Sequence, residues 1–471
     1  MPQAVRHSAY PQQDWRRLRQ PSRFNKLFPF AFFIPIKIKT ILYANCIYQW
    51  ERMGIIEKAA ELAEIIRRKK DLAVIAHADA DGVAGAAISK FFLEKNDIEY
   101  ELKFVDYLRK ELLSEYKGKE VLFIDVGNGN IEEIERNRIE AIIVDHHLAS
   151  KYFKNSLNPF HYGIDGGEEI SASGLMHLIT GENAEIALIG AAGDLQDRNG
   201  LKGWNRRILM KSGIIAKNDI KLYGRSLPLY RMLSFSPLIP PFFKNVGSVI
   251  RFLNELSIDE KKTWNELSMD EKRRLFSSIV KMMIMRGYEK DDIIKLYGEV
   301  YELDGIDLRE IASGINAMAK YGEYSKAIYV CITGNYERMK DFINAHRKNI
   351  KMGIRFAKEN LSEGMKIKYF HAGKKIKGSI LGTITGMLLE GEKIEKPVVG
   401  MVENEEEIKI SARAPKNMNV NLSIAIRNAA RATGGHGGGH KMAAGATIPK
   451  GYEEEFLRFF ELEIANQSSI L

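Results

Sequence analysis

Leu72-Ala-Val-Ile-Ala-His-Ala-Asp-Ala-Asp-Gly82 is the stretch on which the fold turns. Five apolar residues, a length that suits a buried strand, run straight into the alternating polar set His77, Asp79 and Asp81, closed by Gly82. An unbroken apolar run bounded by polar residues and glycine is the pattern of a parallel strand covered on both faces. Helical spacing over Val83–Leu93 follows at once, so the segment reads as strand, turn and helix.

Working outward, the same device recurs. Val121–Ile124 ends in Asp125-Val-Gly127, Ala141–Val144 ends in Asp145-His146-His147, and the small-residue run from Ile189 ends in Asp194, with Asp197 close behind. A further strand is expected over Tyr100–Val105, with helices at Leu108–Tyr116 and Ile131–Arg136. Ahead of them Ile55, Ala59, Leu62 and Ile66 recur at helical spacing, acidic residues early and basic residues late, as the helix dipole favours. Alternating strands and helices predict an α/β fold, a parallel sheet with helices on both faces. In such a sheet the carboxyl ends of the strands share one edge, where ligands bind at the topological switch point.

The alternation stops near residue 200. The boundaries expected are an extension over 1–52, a parallel-sheet domain over 53–200, a helical insertion over 201–333, a linking helix over 334–362 and a smaller α/β domain over 363–471. Within the insertion Asn254-Glu-Leu-Ser-Ile-Asp-Glu-Lys261 recurs as Asn265-Glu-Leu-Ser-Met-Asp-Glu-Lys272. Ser257 with Glu260 and Ser268 with Glu271 fit capping boxes, so two helix starts are expected. An apolar, proline-rich link runs from Ser234 to Phe243. The linking helix carries Met339, Ile343, His346, Ile350, Ile354 and Ala357 on one stripe and Lys340, Arg347, Lys351, Arg355 and Lys358 on another. That basic stripe suits a phosphate backbone, or is an ordinary solvated face. In the last domain, strands are expected at Pro397–Val402 and Glu407–Ala412, a helix at Val420–Ala432, and a glycine-rich loop before Ala443–Ile448.

Many carboxylates brought to one sheet edge repel unless cations accompany them. Aspartate and histidine without cysteine suit Mn²⁺ or Mg²⁺ better than structural zinc, and the residues suffice for two ions. Two such ions would steady both oxygens of a phosphoryl displacement. At the other end of the chain Gly434-Gly-His436-Gly-Gly-Gly-His440 could let backbone approach an anion closely, and Arg413, two residues after Ser411, is a candidate phosphate fork. Trp204, Tyr336 and Phe342 are either core or base-stacking residues.

The charge is less informative. The chain of 471 residues has a formal net charge of +9, and +7 of it lies in residues 1–52, where nine basic residues face two acidic ones. A nucleic-acid partner must therefore be argued from local patches. The same segment holds five of the seven glutamines, and it is a basic arm, a targeting segment, or sequence ahead of a translation start at Met53. Cys46 and Cys331 are the two cysteines, which points to a reducing cytoplasm. The most apolar run, Leu27–Ile36, is too short to span a bilayer, so no membrane role is expected.

The ordered motifs resemble the DHH phosphoesterases, a family named for its Asp145-His146-His147 type of motif, whose second, DHHA1-like domain carries a signature similar to Gly437-Gly-Gly-His440. The resemblance covers Met53 to about Phe459, and length and insertion look like the archaeal RecJ-like nucleases, the GINS-associated nuclease among them. It implies that Asp79, Asp81, Asp125, His146 and Asp194 ligate two Mn²⁺ ions, Asp125 bridging them, with His77 on the first ion or positioning water. His147 and Asp145 are implied to sit near the phosphate or to orient the metal ligands from behind, and Ser411, Arg413, His436, Gly438, Gly439 and His440 to hold the phosphate. His77 stands where bacterial RecJ enzymes carry an acidic residue, a departure that alters one metal ligand and not the existence of the site. Asp197 has no implied role. The activity implied is Mn²⁺-dependent exonucleolytic hydrolysis of single-stranded DNA or RNA to nucleoside monophosphates, in replication or repair. The alternatives are a Cdc45-like module of a replication complex that binds GINS, and a phosphodiesterase for short oligonucleotides or cyclic dinucleotides.

Overall fold

The computed structural model describes residues 54–149, 151–235, 242–243, 245–392, 394–415 and 418–468. The readings of residues 1–52, and most of the apolar link, fall outside them.

A helix over 54–67 (α1) leads into β1 (Asp71–His77), α2 (Ala80–Lys95), β2 (Glu99–Val105), α3 (Lys110–Glu115), β3 (Glu120–Ile124), α4 (Ile131–Arg136), β4 (Glu140–Val144) and the short β5 (Ser156–Leu157). The strands form one wholly parallel sheet in the order β2-β1-β3-β4-β5. Alternation inside the apolar runs assigns the two faces. Val74, Ala76, Leu122, Ile124, Ile142 and Val144 join the core shared with α1 and α2. Ile75, Val121, Phe123, Ala141 and Ile143 pack with Leu113, Ile131 and Ile134 of α3 and α4 on the other side. Both faces are apolar because both are covered. The chain leaves β1 toward β2 on one side and β3 on the other, so the ends of β1 and β3 flank the switch point.

Two small-residue helices, α5 (Ala172–Thr180) and α6 (Ala184–Gly193), press on α2, and α7 (Gly203–Leu209) follows. Beyond it lie β6 (Ile215–Ile220), α8 (Leu229–Phe235), α9 (Val246–Glu255), α10 (Met269–Met285), α11 (Lys290–Ile294), β7 (Tyr297–Leu303), β8 (Ile306–Asp307), α12 (Leu308–Lys320) and α13 (Tyr324–Thr333). The insertion is thus mostly helical, but it also holds the antiparallel sheet β6-β7-β8, which the sequence pattern hides because β6, Ile-Ala-Lys-Asn-Asp-Ile, is polar and largely exposed. Of the two repeat copies, only the second caps a helix: Ser268 and Glu271 form the capping box of α10. Ser257 instead takes φ +56° in the turn after α9, where no helix begins.

The insertion's sheet is held by a buried charge network. Arg225 is fully buried, 2.7 Å from Asp307 and 2.9 Å from Glu302. Asp197 pairs with Arg309 of α12, tying the insertion to the loop after α6.

The long helix α14 (Met339–Glu359) joins the lobes, with Met339 in the first core and Ile350 and Ala357 in the second. The second lobe comprises β9 (Ser362–Glu363), β10 (Lys368–His371), α15 (Leu381–Gly391), β11 (Val398–Asn404), β12 (Glu407–Arg413), α16 (Leu422–Ala432), β13 (His436–Gly439), β14 (Ala443–Pro449) and α17 (Glu453–Ser468). Its sheet runs β13-β14-β12-β11-β10-β9, antiparallel except for β10 beside β11. The glycine-rich run, read as a loop, is in fact the edge strand β13. Glycine is required there by contact: a Cβ on Gly435 would lie 2.3 Å from the Thr447 carbonyl, and one on Gly437 2.8 Å from Ile426. Trp204 and Tyr336 are buried and Phe342 packs against the same core, so all three are structural.

Candidate metal centre

Four loops meet at the carboxyl edge of the parallel sheet. After β1 the chain turns sharply, with Asp79 capping α2 by accepting the Gly82 N–H at 3.0 Å. The turn admits no side chain at Gly82, whose Cβ would lie 2.2 Å from the His77 carbonyl oxygen. Asp81, on the first turn of α2, is completely buried and accepts the Ala172 N–H at 2.7 Å and the Ser173 N–H at 3.1 Å from the start of α5. Gly190 of α6 makes room for it, since a Cβ there would lie 2.3 Å from the Asp81 carboxylate.

Asp125 follows β3 with φ +60°, a left-handed backbone that a residue other than glycine adopts at some cost. Its amide donates to the Val144 carbonyl at 2.9 Å, which holds the conformation. His77 Nδ1 lies 2.7 Å from Asp79 and 3.1 Å from Asp125. His146 Nδ1 donates to the Gly166 carbonyl at 2.6 Å, and a carbonyl can only accept, so the proton sits on Nδ1. Nε2 is thereby aimed at Asp125 Oδ1 at 3.2 Å and Asp194 at 3.1 Å. Asp194 itself ends α6. Asp145 turns away from this cluster: it accepts the Asn128 N–H at 3.0 Å and the His147 imidazole at 2.8 Å. His147 is the exposed member, 3.7 Å from Asp125.

Three groups of side chains could each close around a cation: His77, Asp79 and Asp125; Asp81, His146 and Asp194; and Asp125, His146 and His147. Two of the three share Asp125. Asp125 Oδ1 and His146 Nε2 are buried, face one another and make no hydrogen bond. Orphaned buried polar atoms of this kind are what a coordinated ion would satisfy. The donor set of oxygen and imidazole suits Mn²⁺ or Mg²⁺.

The titration behaviour fits. Burial opposes charge on His77, but the Asp125 and Asp79 carboxylates hold its proton and raise it to about 11. Burial likewise opposes charge on His146, and Asp125 and Asp194 push it upward. Burial, then the Asp125 charge, raise Asp81 to about 6, while burial, then Asp81, raise Asp194 to about 6. Without a cation, then, retained protons carry the positive charge the carboxylates need.

In the second lobe Ser411 and Arg413 project from β12, where Arg413 donates to Ser411 Oγ at 3.2 Å and to the Ala412 carbonyl at 2.9 Å. Gly382 on α15 leaves space for the guanidinium, since a Cβ there would lie 2.8 Å from it. Ser411, Gly445 and Gly438 lie in one register row, and His440 is exposed just past β13. His436 reaches the other lobe, 3.3 Å from the Tyr107 hydroxyl, and Lys409 pairs with Asp106 at 3.1 Å. Tyr107, Lys409, His436, Gly437, Gly438 and Thr447 line a cavity of about 420 Å³ at this seam. Among the described residues, no hydrogen bond or ion pair joins Arg413 or His440 to the aspartate cluster.

Several supporting residues escape sequence reading. Asn128 donates to the Asp145 and His147 carbonyls at 3.0 Å each, and Asn158 to the latter at 2.8 Å. Asn316 accepts the Ala80 N–H at 2.8 Å from 236 residues away. Asn128 does sit just past the Asp125 motif, a weak local signal; Asn316 offers none.

Three domain descriptions match this chain: the DHH family N-terminal domain over residues 71–192, the DHH-CID domain over 222–297 and the DHHA1 domain over 364–466. An uncharacterised protein of Methanocaldococcus jannaschii is 29% identical over 451 residues, which span 88% of this chain and 99% of that one. Among solved structures, CDC45 from Entamoeba histolytica superposes with a TM-score of 0.59 at 12% identity, covering 89% of this chain and 98% of that one. RecJ in complex with Mn²⁺ from Thermus thermophilus gives a TM-score of 0.52 at 18% identity over 88% of this chain, which spans 55% of the RecJ chain. Both likenesses are of fold.

Proposed function

From the premise that this chain belongs to the DHH family, we propose that it is a metal-dependent phosphodiesterase that removes mononucleotides from one end of single-stranded DNA or RNA. The observation that carries this reading is the buried, unbonded pair Asp125 Oδ1 and His146 Nε2 at the centre of three overlapping ligand groups.

His77, Asp79, Asp81, Asp125, His146 and Asp194 would hold two divalent cations, Mn²⁺ or Mg²⁺, with Asp125 between them. Bound there, such ions lower the pKa of water and offset charge on a phosphodiester. The protein's own groups do the rest. Asp145 holds His147 by its Nδ1, so the opposite ring nitrogen is presented toward solvent, where it can move a proton to or from the reacting phosphate. Arg413, with Ser411, His436, His440 and the bare backbone of Gly438 and Gly439, would grip the phosphate from the second lobe. Tyr107 and His436 meet across the seam between the lobes, ring centroids 5.9 Å apart, and a cleft that admits one strand there would exclude a duplex. We place this activity in replication or repair, in the cytoplasm. The described residues include no helix long and apolar enough to cross a membrane.

The test is incubation of the full chain with Mn²⁺ and end-labelled single strands of DNA and RNA, with Asp125→Ala as control. Mononucleotide from one labelled end, absent in the variant, is expected. The fold shared with CDC45 favours a second reading, a replication-complex module docking GINS through the insertion, and absence of cleavage on every strand would turn the balance to it.

A further inference from the structure

One group of cations and aromatic rings lies outside the site just described. Helix α12, whose Asn316 accepts the Ala80 amide of the metal loop, ends one turn later at Lys320 and is followed by Tyr321. One turn is ~5.4 Å of rise. Ser379, ahead of α15, donates to the Lys320 carbonyl at 2.6 Å, so the first lobe and the second meet here, beside the linking helix α14.

Tyr321 is the centre of the group. His346 of α14 stands edge-on to it, ring centroids 5.8 Å apart at 80°. Asn349, three residues further along α14 and so on the same face as His346, donates to the Tyr321 hydroxyl at 2.9 Å. The exposed Lys377 lies over the Tyr321 ring, 4.6 Å from its centroid. Burial, then the Lys320 and Arg347 cations, lower the pKa of His346 and keep its imidazole neutral.

Neither lysine of the group is held in a close ion pair. Among the described residues neither Lys320 nor Lys377 has a carboxylate within 4.0 Å, whereas Lys409 at the neighbouring seam is paired with Asp106 and Arg309 with Asp197. Lys320 also reaches the metal loop electrostatically: burial works against the charge on Asp79, His77 favours it most, and Lys320 adds to that. An exposed ammonium over an aromatic ring, with a second, half-buried lysine in the residue before that ring, is a site for an anion that carries a flat group.

Resting on the function proposed above, we propose that Tyr321, His346 and Asn349, flanked by Lys320 and Lys377, form a stacking and backbone subsite for the single strand, reached from the metal loop along the last turn of α12. Tyr321 stacks one unpaired base, Asn349 and His346 fix the ring, and the two lysines take the adjoining phosphates. Lys377 covers the ring face until a base replaces it. A duplex keeps its bases stacked on one another and offers none to the ring.

The experiment measures binding of a short, labelled oligothymidylate to the full chain in EDTA, which prevents cutting, by fluorescence anisotropy across a range of salt. Tyr321→Ala is expected to weaken binding about tenfold with the salt dependence of the parent, and Tyr321→Phe, which keeps the ring but loses the Asn349 bond, to weaken it markedly less. Lys377→Ala is expected to lower the slope of log affinity against log salt by about 0.7, the contribution of one phosphate contact on a single strand. Tyr321→Ala binding as tightly as the parent, an equal loss in Tyr321→Phe, or an unchanged slope in Lys377→Ala would each overturn the subsite. If the parent cuts labelled strands while these variants bind like it, the subsite alone fails. A parent that neither cuts nor binds any strand refutes both the subsite and the function on which it rests.

Discussion

Stripping divalent cations from this chain and raising the pH from about 5 to about 8 should destabilise its first lobe, and the size of the loss follows from two residues. Asp81 is fully buried, and its carboxyl is raised from 3.8 to about 6. The folded state therefore holds a proton that the unfolded chain has already released, and stability falls as pH rises through about 6. Across the window that amounts to about 1.4 kcal/mol. His77, raised from 6.5 to about 11, keeps its proton throughout this range while the unfolded chain loses it above 6.5, which removes about 2 kcal/mol more by the upper end. His146 and Asp194 shift in the same direction and deepen the fall. Asp79, lowered to about 2, has its effect below the window. The sum from the first two is roughly 3 kcal/mol, or a fall of roughly 6–12 °C in the midpoint of a lobe of this size. Differential scanning calorimetry in EDTA at the two pH values measures it. Mn²⁺ should restore more stability at the higher pH than at the lower, because ions replace the retained protons. A metal-free midpoint that is level or rises across the window would refute the account of a proton-compensated carboxylate cluster.

Other substitutions probe the scaffold. Gly190→Ala places a Cβ 2.1 Å from Ser173 Oγ and 2.3 Å from Asp81, so we expect a loss of about 1–3 kcal/mol together with weakened Mn²⁺ binding, read by denaturant titration and calorimetry. Arg225→Ala leaves the Asp307 and Glu302 carboxylates without their buried partner, and should cost about 3–5 kcal/mol by chemical denaturation, with Arg225→Lys recovering only part. Lys409→Ala removes a pair that is partly exposed at the seam and should change the unfolding free energy by less than about 1 kcal/mol in the same assay.

The parallel sheet and its ligand edge were legible because a strand buried on both faces must be apolar throughout, so the abrupt arrival of Asp125, or of Asp145-His146-His147, marks where it ends. Their convergence follows from topology alone. What stayed hidden depends on partners distant in sequence. Nothing near Arg225 tells that it is buried, because its compensation comes from Glu302 and Asp307. Asn316 reaches the metal loop from the far side of the insertion. Polar β6 lacks the apolar run that exposed the other strands, and β13, made of histidine and glycines, has almost no side chains from which a period could be read. Ser257 and Ser268 sit in nearly identical octapeptides, yet only one caps a helix, since the residues that follow, not the motif, decide whether a helix propagates.

The left-handed backbone at Asp125 sets two selections against each other. Glycine at that position would relax the main chain and leave no carboxylate to bury, so a mutational scan scored by folding alone should enrich glycine there. A scan scored by turnover should tolerate nothing but aspartate. Disagreement between the two scores at one codon would then single out this position without any knowledge of the reaction.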